Sequence, residues 1–349
     1  MEKILITGAS FSGNRGAAAM AISFIDQARK YLENDFIFSV APVYFDLEKK
    51  WAEHYGVDIV SEKSREYKEV LKNCKCMVNL NGIAFVGDGS RKWYSSVYEH
   101  HYFKDAKKYK KPFFRFIQSY GPFDDWRVRL IAQKEFKNIP CVMARGALSA
   151  NHCRNITDAP VYKFPDIAIT LKTGIGLSGE YIVLCPSVTT AKINKEKYIS
   201  LFRNLITYYR NKNENVVLLP HTLSPDKNKC DKELCKEIGN ARIIMDEFDC
   251  VELKGIIAGA KFAVVSRYHA LVAALSSGVP VVSIGWNDKY QDIMDFYDSS
   301  QYAFDFRKDV NFMEIVEKIS NWKGNEKQKE LELETDKACK LFANWVLNL

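Results

Sequence analysis

The sequence has no C-x-x-C pair, although it holds nine cysteines, at 74, 76, 141, 153, 185, 230, 235, 250 and 339. An odd, scattered set without paired spacing excludes a disulfide framework and a zinc cage, so reduced thiols and no metal site are expected. No apolar run reaches the roughly 18 residues of a membrane-spanning helix. The start, MEKILITGAS, has one lysine and then a strand-like pentad instead of a signal region, so a cytoplasmic location is expected. No zinc-finger, homeodomain or RNP signature is present. The charge is not strongly one-sided: 50 Lys and Arg against 43 Asp and Glu give +7, with a pI near 8.7. That balance favours anionic ligands or surfaces and is too small for a nucleic-acid arm. There is no low-complexity tract, heptad series or internal repeat, which excludes disorder, collagen and coiled coil.

What is there is ordinary globular material, 47% apolar and 27% charged over 349 residues. At about 150 residues per domain this length holds two. Short β-branched or aromatic runs alternate with helical-period segments throughout, the pattern of parallel strands joined by helical crossovers, so the fold class is α/β. Candidate strands in the first half are 3–7, 36–42, 57–60, 76–82, 113–118 and 140–144. The pattern restarts at 181–187 and continues at 215–221, 241–246, 261–266 and 279–285. These runs are almost wholly apolar, as strands covered by helices on both faces require. Between the first two, Ala18, Ala21, Ile22, Ile25, Ala28 and Leu32 mark one face of a helix.

The stretch LKTGIGLSGE, with Gly174, Gly176 and Gly179, breaks the periodicity and reads as a linker. The chain is therefore expected to form two Rossmann-like domains, 1–172 and 180–325, followed by a helix over 326–349 with Leu331, Ala338, Leu341 and Trp345 facing inward. Ligands should bind in a central cleft where the carboxyl ends of the two sheets face each other.

Candidate chemistry sits at the strand ends. GASFSGNRG, from Gly8 to Gly16, follows a strand and opens a helix, so its backbone N–H groups could cradle an anion, although its spacing matches neither G-x-G-x-x-G nor a P-loop. Asn14 and Arg15 add polar groups that a simple turn does not need. In SRYHALVAALSSGVPVVSIGWNDKY, 266–290, Arg267 and His269 fall at a helix start. An arginine there can grip carboxylate or phosphate bidentately, and an imidazole two residues on can move a proton near neutral pH. His221 follows another strand directly. Gln118 and Ser119 end a strand in the first half, Arg145 is a second anion ligand, and Asp166 an orienting carboxylate or a turn cap.

The run 91–116 interleaves eight Lys or Arg with nine aromatics. Part must be a solvated helix face and part the strand FFRF, but the composition also suits an anionic lipid surface or a stacked sugar. His100 and His101 lie within it, and one of them could reach the cleft, with nothing in the sequence to choose between them.

Six stretches in this order, GNRGAAAM, QSYGPF, AR..LS at 144–149, PD.A at 165–168, LLPH and SRYHALVAALSSGVPVVSIG, resemble the polysaccharide pyruvyl transferase family over roughly residues 3–290. The R-x-H followed by G-x-P-x-x-x-I carries the most weight. One departure is Ala17, where many members have Asp directly after the glycine; it removes a carboxylate from this loop and leaves the anion-binding argument intact. The resemblance implies a two-domain fold like the GT-B glycosyltransferases. It also implies transfer of pyruvate from phosphoenolpyruvate onto two hydroxyls of a sugar, in a cell-surface polysaccharide or its lipid-linked precursor, as a cyclic ketal, with no cofactor. By this analogy Arg267 and His269 match the donor-binding arginine and histidine, and Arg145 the second arginine.

The chemistry asks for the same groups. Phosphoenolpyruvate carries carboxylate and phosphate on neighbouring atoms, so it needs two separated cations, which Arg267 and Arg145 would supply from different domains. A proton must reach the vinyl methylene, from His269 or His221. Contact of the basic-aromatic run with the inner face of the membrane would then serve a lipid-linked acceptor. Two other readings compete: a nucleotide-sugar-dependent GT-B glycosyltransferase, and a catalytically silent glycan-binding protein.

Overall fold

The computed structural model describes residues 1–32, 35–42, 45–223, 226, 228, 230–287, 289–324 and 326–349. Two compact units divide it. Unit 1 comprises 1–12, 20–167 and 332–349; unit 2 comprises 13–19 and 168–331. This interleaving differs from the contiguous segments that the sequence pattern suggests, because hydrophobic periodicity reports a buried face and not the partner that buries it.

The chain opens with β1 (Glu2–Thr7), α1 (Arg15–Leu32), β2 (Phe36–Ala41), α2 (Phe45–Tyr55), β3 (Asp58–Ile59) and α3 (Arg65–Asn73). Then come β4 (Cys76–Asn79), β5 (Ile83–Ala84), α4 (Tyr94–Lys108), β6 (Phe113–Arg115) and β7 (Ser119–Tyr120). α5 (Trp126–Phe136), β8 (Val142–Arg145), α6 (Ala147–Arg154) and β9 (Val161–Phe164) complete this half. Unit 1 is built on a parallel sheet in the order β3-β2-β1-β4-β6. Central Ile4 pairs with Phe38 on one side and Cys76 on the other. Ile4, Leu5 and Ile6 have no exposed surface, which is why that run carries no polar alternation. The strand expected at 140–144 does form, as β8, but in a separate two-stranded parallel sheet with β9. A second small sheet joins β5 and β7.

Unit 2 carries β10 (Ile182–Cys185), α7 (Val188–Ala191), α8 (Lys195–Arg210), β11 (Val216–Leu218), α9 (Asp231–Ile238), β12 (Arg242–Ile243) and α10 (Cys250–Ala258). It continues with β13 (Ala263–Val265), α11 (Tyr268–Ser276), β14 (Val281–Gly285), α12 (Lys289–Phe296), β15 (Ala303–Asp305) and α13 (Phe312–Ser320). Its sheet is parallel in the order β12-β11-β10-β13-β14-β15. In both sheets the strand order reverses beside the first strand, between β1 and β4 and between β10 and β13, the places where α/β sheets open a crevice at their carboxyl ends.

The segment read as a linker packs tightly within unit 2. Gly174 N donates to Val251 O at 3.0 Å, and a Cβ on Gly174 would stand 2.6 Å from that oxygen, so its glycine permits backbone to lie on α10. The last helix, α14 (Gln328–Leu347), buries Leu331, Ala338, Cys339, Phe342, Ala343 and Val346, with Leu341 and Trp345 half-buried. All nine cysteines are free and buried.

Candidate active site

At the switch point of unit 2, three strand ends converge on one carboxylate. Asp231, the first residue of α9, has no exposed surface. It accepts from Val188 N after β10 at 3.1 Å and from Thr222 N after β11 at 2.8 Å. It also accepts from Arg267 after β13, through Nε at 2.8 Å and Nη2 at 2.5 Å. Arg267 is the N-cap of α11 in extended conformation without a side-chain cap bond, so its guanidinium points away from the helix toward this carboxylate. The pairing with Asp231 outweighs burial and raises the arginine's pKa further, so it stays a cation.

His269, the second residue of α11, sits against the start of α1. A Cβ on Gly16 would collide with the His269 ring, so only glycine lets the two approach. The approach is fixed by a short backbone ladder: Asn14 bridges Thr222, and Leu223 N donates to Gly13 O at 3.0 Å. That ladder sets Arg15 beside His221. A cavity follows, lined by Arg15, Ala19, Ala168, Leu171, His221, Cys250, Lys254, His269, Val272 and Ala273. Its lining holds two permanent cations, two imidazoles and no carboxylate. The free space is about 10 Å³, room for one water, so a larger ligand enters only when the walls part.

Electrostatics in this cavity are one-sided. Burial, reinforced by His269, Arg267 and Arg15, pulls the His221 pKa down to about 3, so its imidazole is neutral at physiological pH. Lys254 is buried on α10, with Nζ donating to Leu171 O at 2.7 Å and Ile169 O at 3.3 Å. A buried ammonium at the wall of a cavity that no carboxylate lines is suited to an anion.

Unit 1 gathers the other predicted residues. Arg145, at the end of β8, donates from Nε to Ser119 Oγ at 3.0 Å, from Nη1 to Asp166 Oδ2 at 2.5 Å and from Nη2 to Gly82 O at 2.6 Å. Asp166 and Ser119 thus fix the direction of the arginine. Gln118 does not present its amide to a ligand. It is fully buried, donating to Asn79 O and Oδ1 at 2.8 Å and accepting from Arg115 Nη1 at 3.2 Å. His100 stands 2.7 Å from Glu135, which also pairs with Arg115, and the His101 ring contacts Tyr98 O and lies 3.8 Å from Glu62.

The glycine-rich loop needs a correction. Phe11 N at 2.5 Å, Ser12 N at 2.8 Å, Ser10 Oγ at 2.8 Å and Ser12 Oγ at 2.9 Å all donate to the buried carboxylate of Glu48 on α2. The loop does cradle an anion, but the anion is the chain's own. Asn14 is exposed and serves as a cap, accepting from Gly16 N at 3.1 Å. Arg15 alone of this loop's polar pair enters the cavity. Asp288, within the stretch 266–290, lies outside the described residues.

The site adds Asp231, Lys254 and Glu48 to the residues read from the sequence. An acid at a helix start reads as a dipole partner, and a lysine inside CVELKGIIA reads as a solvated interruption of an apolar helix. The one usable signal was Lys254 itself, since a charged residue among Val251, Leu253, Ile256 and Ile257 has little solvent to reach.

The comparisons follow the same lines. Among solved structures, UDP-GlcNAc 2-epimerase from Methanocaldococcus jannaschii is similar at a TM-score of 0.62 and 11% identity, over 99% of this chain and 100% of that one. The Neisseria meningitidis UDP-GlcNAc 2-epimerase bound to UDP-GlcNAc gives 0.57 and 11%, over the whole of both chains. At such identity the likeness is one of fold, of the GT-B type. In sequence, the amylovoran biosynthesis protein AmsJ of Erwinia amylovora is 22% identical over 264 residues, which are 67% of this chain and 62% of AmsJ. The chain thus spans less than two thirds of that relative. A family model described as polysaccharide pyruvyl transferase matches residues 14–288, from the capping Asn14 through the Arg267–His269 helix start to the end of β14 and beyond. The chain belongs to the polysaccharide pyruvyl transferase family.

Proposed function

We propose that the chain transfers pyruvate from phosphoenolpyruvate onto two hydroxyls of a sugar, in a cell-surface polysaccharide or its lipid-linked precursor, working in the cytoplasm at the inner face of the membrane. The observation that carries this reading is the carboxylate-free cavity of Arg15, Lys254, His221 and His269 beside the Asp231-held Arg267. A donor with carboxylate and phosphate on adjacent atoms matches such a cluster of separated cations.

In this reading Arg15, Lys254 and Arg267 hold the donor's anionic groups. His269 gives a proton to the vinyl methylene, leaving an oxocarbenium-like carbon that a sugar hydroxyl attacks. His221, neutral in the unliganded state, takes that hydroxyl's proton once the donor's negative charge lies beside it and passes it back to His269, which restores both imidazoles for the next turnover. Phosphate then departs, and the second hydroxyl closes the ketal ring with its proton passing to the leaving phosphate. Net, phosphoenolpyruvate and a diol become a ketal and inorganic phosphate. Arg145 enters on the resemblance that matched it to the family's second arginine; its guanidinium is committed to Ser119, Asp166 and Gly82.

The test is phosphate release from phosphoenolpyruvate with candidate glycans, together with the ketal methyl signal in the NMR spectrum of the product. Release that depends on the glycan supports the reading. Silence with phosphoenolpyruvate but turnover of a nucleotide sugar would assign the chain to glycosyl transfer instead.

A further inference from the structure

Two neighbouring helices of unit 1 leave an apolar face uncovered. Arg127 at the start of α5 lies 4.9 Å from the centre of the Trp93 ring, just ahead of α4, and His100 further along α4 meets Glu135 further along α5 at 2.7 Å. The helices therefore run side by side in the same direction. Ser96, Glu99, His100 and Phe103 of α4, and Val128, Ala132, Glu135 and Phe136 of α5, turn inward.

The outward faces are unusual for helices packed on a sheet. Tyr94, Val97 and Tyr98 form an exposed i, i+3, i+4 stripe on α4, and Trp126 and Leu130 an exposed i, i+4 pair on α5. Trp93 joins them; Trp126 is 67% exposed and Tyr94 60%. Of the six tryptophans only Trp93 and Trp126 are exposed, and both are here. Scattered surface apolar residues need no explanation, but six large ones on two neighbouring helices, two of them tryptophans, do.

The rim of this face is basic. Lys92 precedes α4, while Arg129, Lys134 and Lys137 stand exposed along α5 and its end, without an ion-pair partner among the described residues. The acids nearby are Asp88 and Asp124, which are exposed, Glu99, which pairs with Arg91 at 3.2 Å, and Asp125, which is spent on Arg127 at 2.6 Å. Tryptophan and tyrosine with an apolar body and a polar tip, ringed by uncompensated Lys and Arg, match the headgroup zone of an anionic bilayer. A protein partner could also bury the tryptophans, but lysine is depleted at such interfaces and the rim would need complementary acids, so the row of Lys and Arg favours the anionic bilayer. Among the described residues no helix is long and apolar enough to cross a membrane, so the contact is one of surface.

We infer that the α4–α5 face, centred on Trp93, Trp126 and Leu130 and rimmed by Lys92, Arg129 and Lys134, docks the chain on an anionic lipid surface. The inference deepens the proposed function, on which it rests for its purpose: it names the surface that would bring the enzyme to a lipid-linked acceptor. It also relocates the contact expected from the run 91–116. The lysine cluster at 107–111 lies at the other end of α4, about 20 Å away at 1.5 Å per residue, and Lys111 is held by Cys74 O at 2.7 Å.

The test uses the full chain and sedimentation with vesicles of phosphatidylcholine, with and without phosphatidylglycerol. The parent chain should bind the anionic vesicles, with a blue shift of tryptophan fluorescence. The triple variant Trp93→Ser, Trp126→Ser, Leu130→Ser should lose about tenfold or more in partitioning. Lys92→Glu, Arg129→Glu, Lys134→Glu should abolish the dependence on phosphatidylglycerol. Lys107→Ser, Lys108→Ser, Lys110→Ser should lose less than either. Equal vesicle binding by the triple variant, or none by the parent chain, would overturn the inference, as would a triple variant whose only change is in oligomeric state by light scattering. Phosphate release with a water-soluble acceptor and no lipid separates the two claims: it should be unchanged in the triple variant. If it is absent from the parent chain while vesicle binding still depends on the tryptophans, the catalytic reading fails and the docking face stands.

Discussion

The Asp231 carboxylate meets the Arg267 guanidinium edge to edge, Oδ2 with Nε and Oδ1 with Nη2. Nη1, with no partner among the described residues, is the end of Arg267 left to meet an anion. The same carboxylate ties together the backbone after β10 and β11, so one side chain fixes both the shape of the switch point and the direction of its cation.

Removing Arg267 leaves a buried carboxylate unpaired. Arg267→Gln should cost about 3 to 5 kcal/mol of stability in denaturant unfolding. Adding Asp231→Asn should return part of it, because the stranded charge is gone. Phosphoenolpyruvate binding, measured by calorimetry, should stay lost in both. Donor binding within threefold of the parent in either variant would remove Arg267 from the site.

Gly16→Ala tests whether the His269 ring must sit where it does. Alanine suits a helix better than glycine by roughly 0.5 to 1 kcal/mol, so the fold should tolerate it unless the displaced ring strains its surroundings. The ring has to move, however, and a displacement of about 1 Å can lower turnover about 10²-fold. Unchanged kcat for phosphate release would show that His269 is not the proton donor.

His221 should mark the acid limb of stability. Its pKa is about 3 in the fold against 6.5 unperturbed, so between those values the unfolded chain holds a proton that the folded chain does not. Stability from this residue therefore rises with pH across that window and is lost on acidification. The melting temperature of His221→Gln should fall less steeply with acid than that of the parent. Bound phosphoenolpyruvate, a compensating anion, should also flatten the parent's slope; parallel slopes in parent and variant would refute the burial argument.

Glu48→Ala should vacate the loop at 10–12. The variant should be less stable, since two backbone donors and two hydroxyls lose their acceptor. Added acetate or phosphate should recover its melting temperature more than it raises that of the parent. A variant indifferent to anions would mean that water satisfies the loop unaided.

The two sheets were legible because their central strands are buried on both faces and so leave long apolar runs; all eleven candidate strands are present. β5, β7, β9 and β15 were missed. Two to four residues, some of them exposed as in β9, carry no period to read. Arg267, His269 and His221 were legible as polar residues directly after apolar runs. Asp231 and Glu48 were not, since each acts on residues some 36 positions away. Gln118 was misread for the converse reason: a polar side chain at a strand end can turn into the protein when Asn79 and Arg115 wait there to pair with it.

The nine buried thiols have a practical meaning. Burial lifts Cys74 to about 11 and Cys141 and Cys339 to about 12, so none of these three is a thiolate at neutral pH. Five cysteines belong to unit 1, at 74, 76, 141, 153 and 339, and four to unit 2, at 185, 230, 235 and 250. The native chain should therefore resist alkylation and mild oxidation, and each thiol becomes a clock that starts only when its own surroundings open. Pulsed labelling read by mass spectrometry would time the melting of the two units separately, in one sample, with no cysteine added to the sequence.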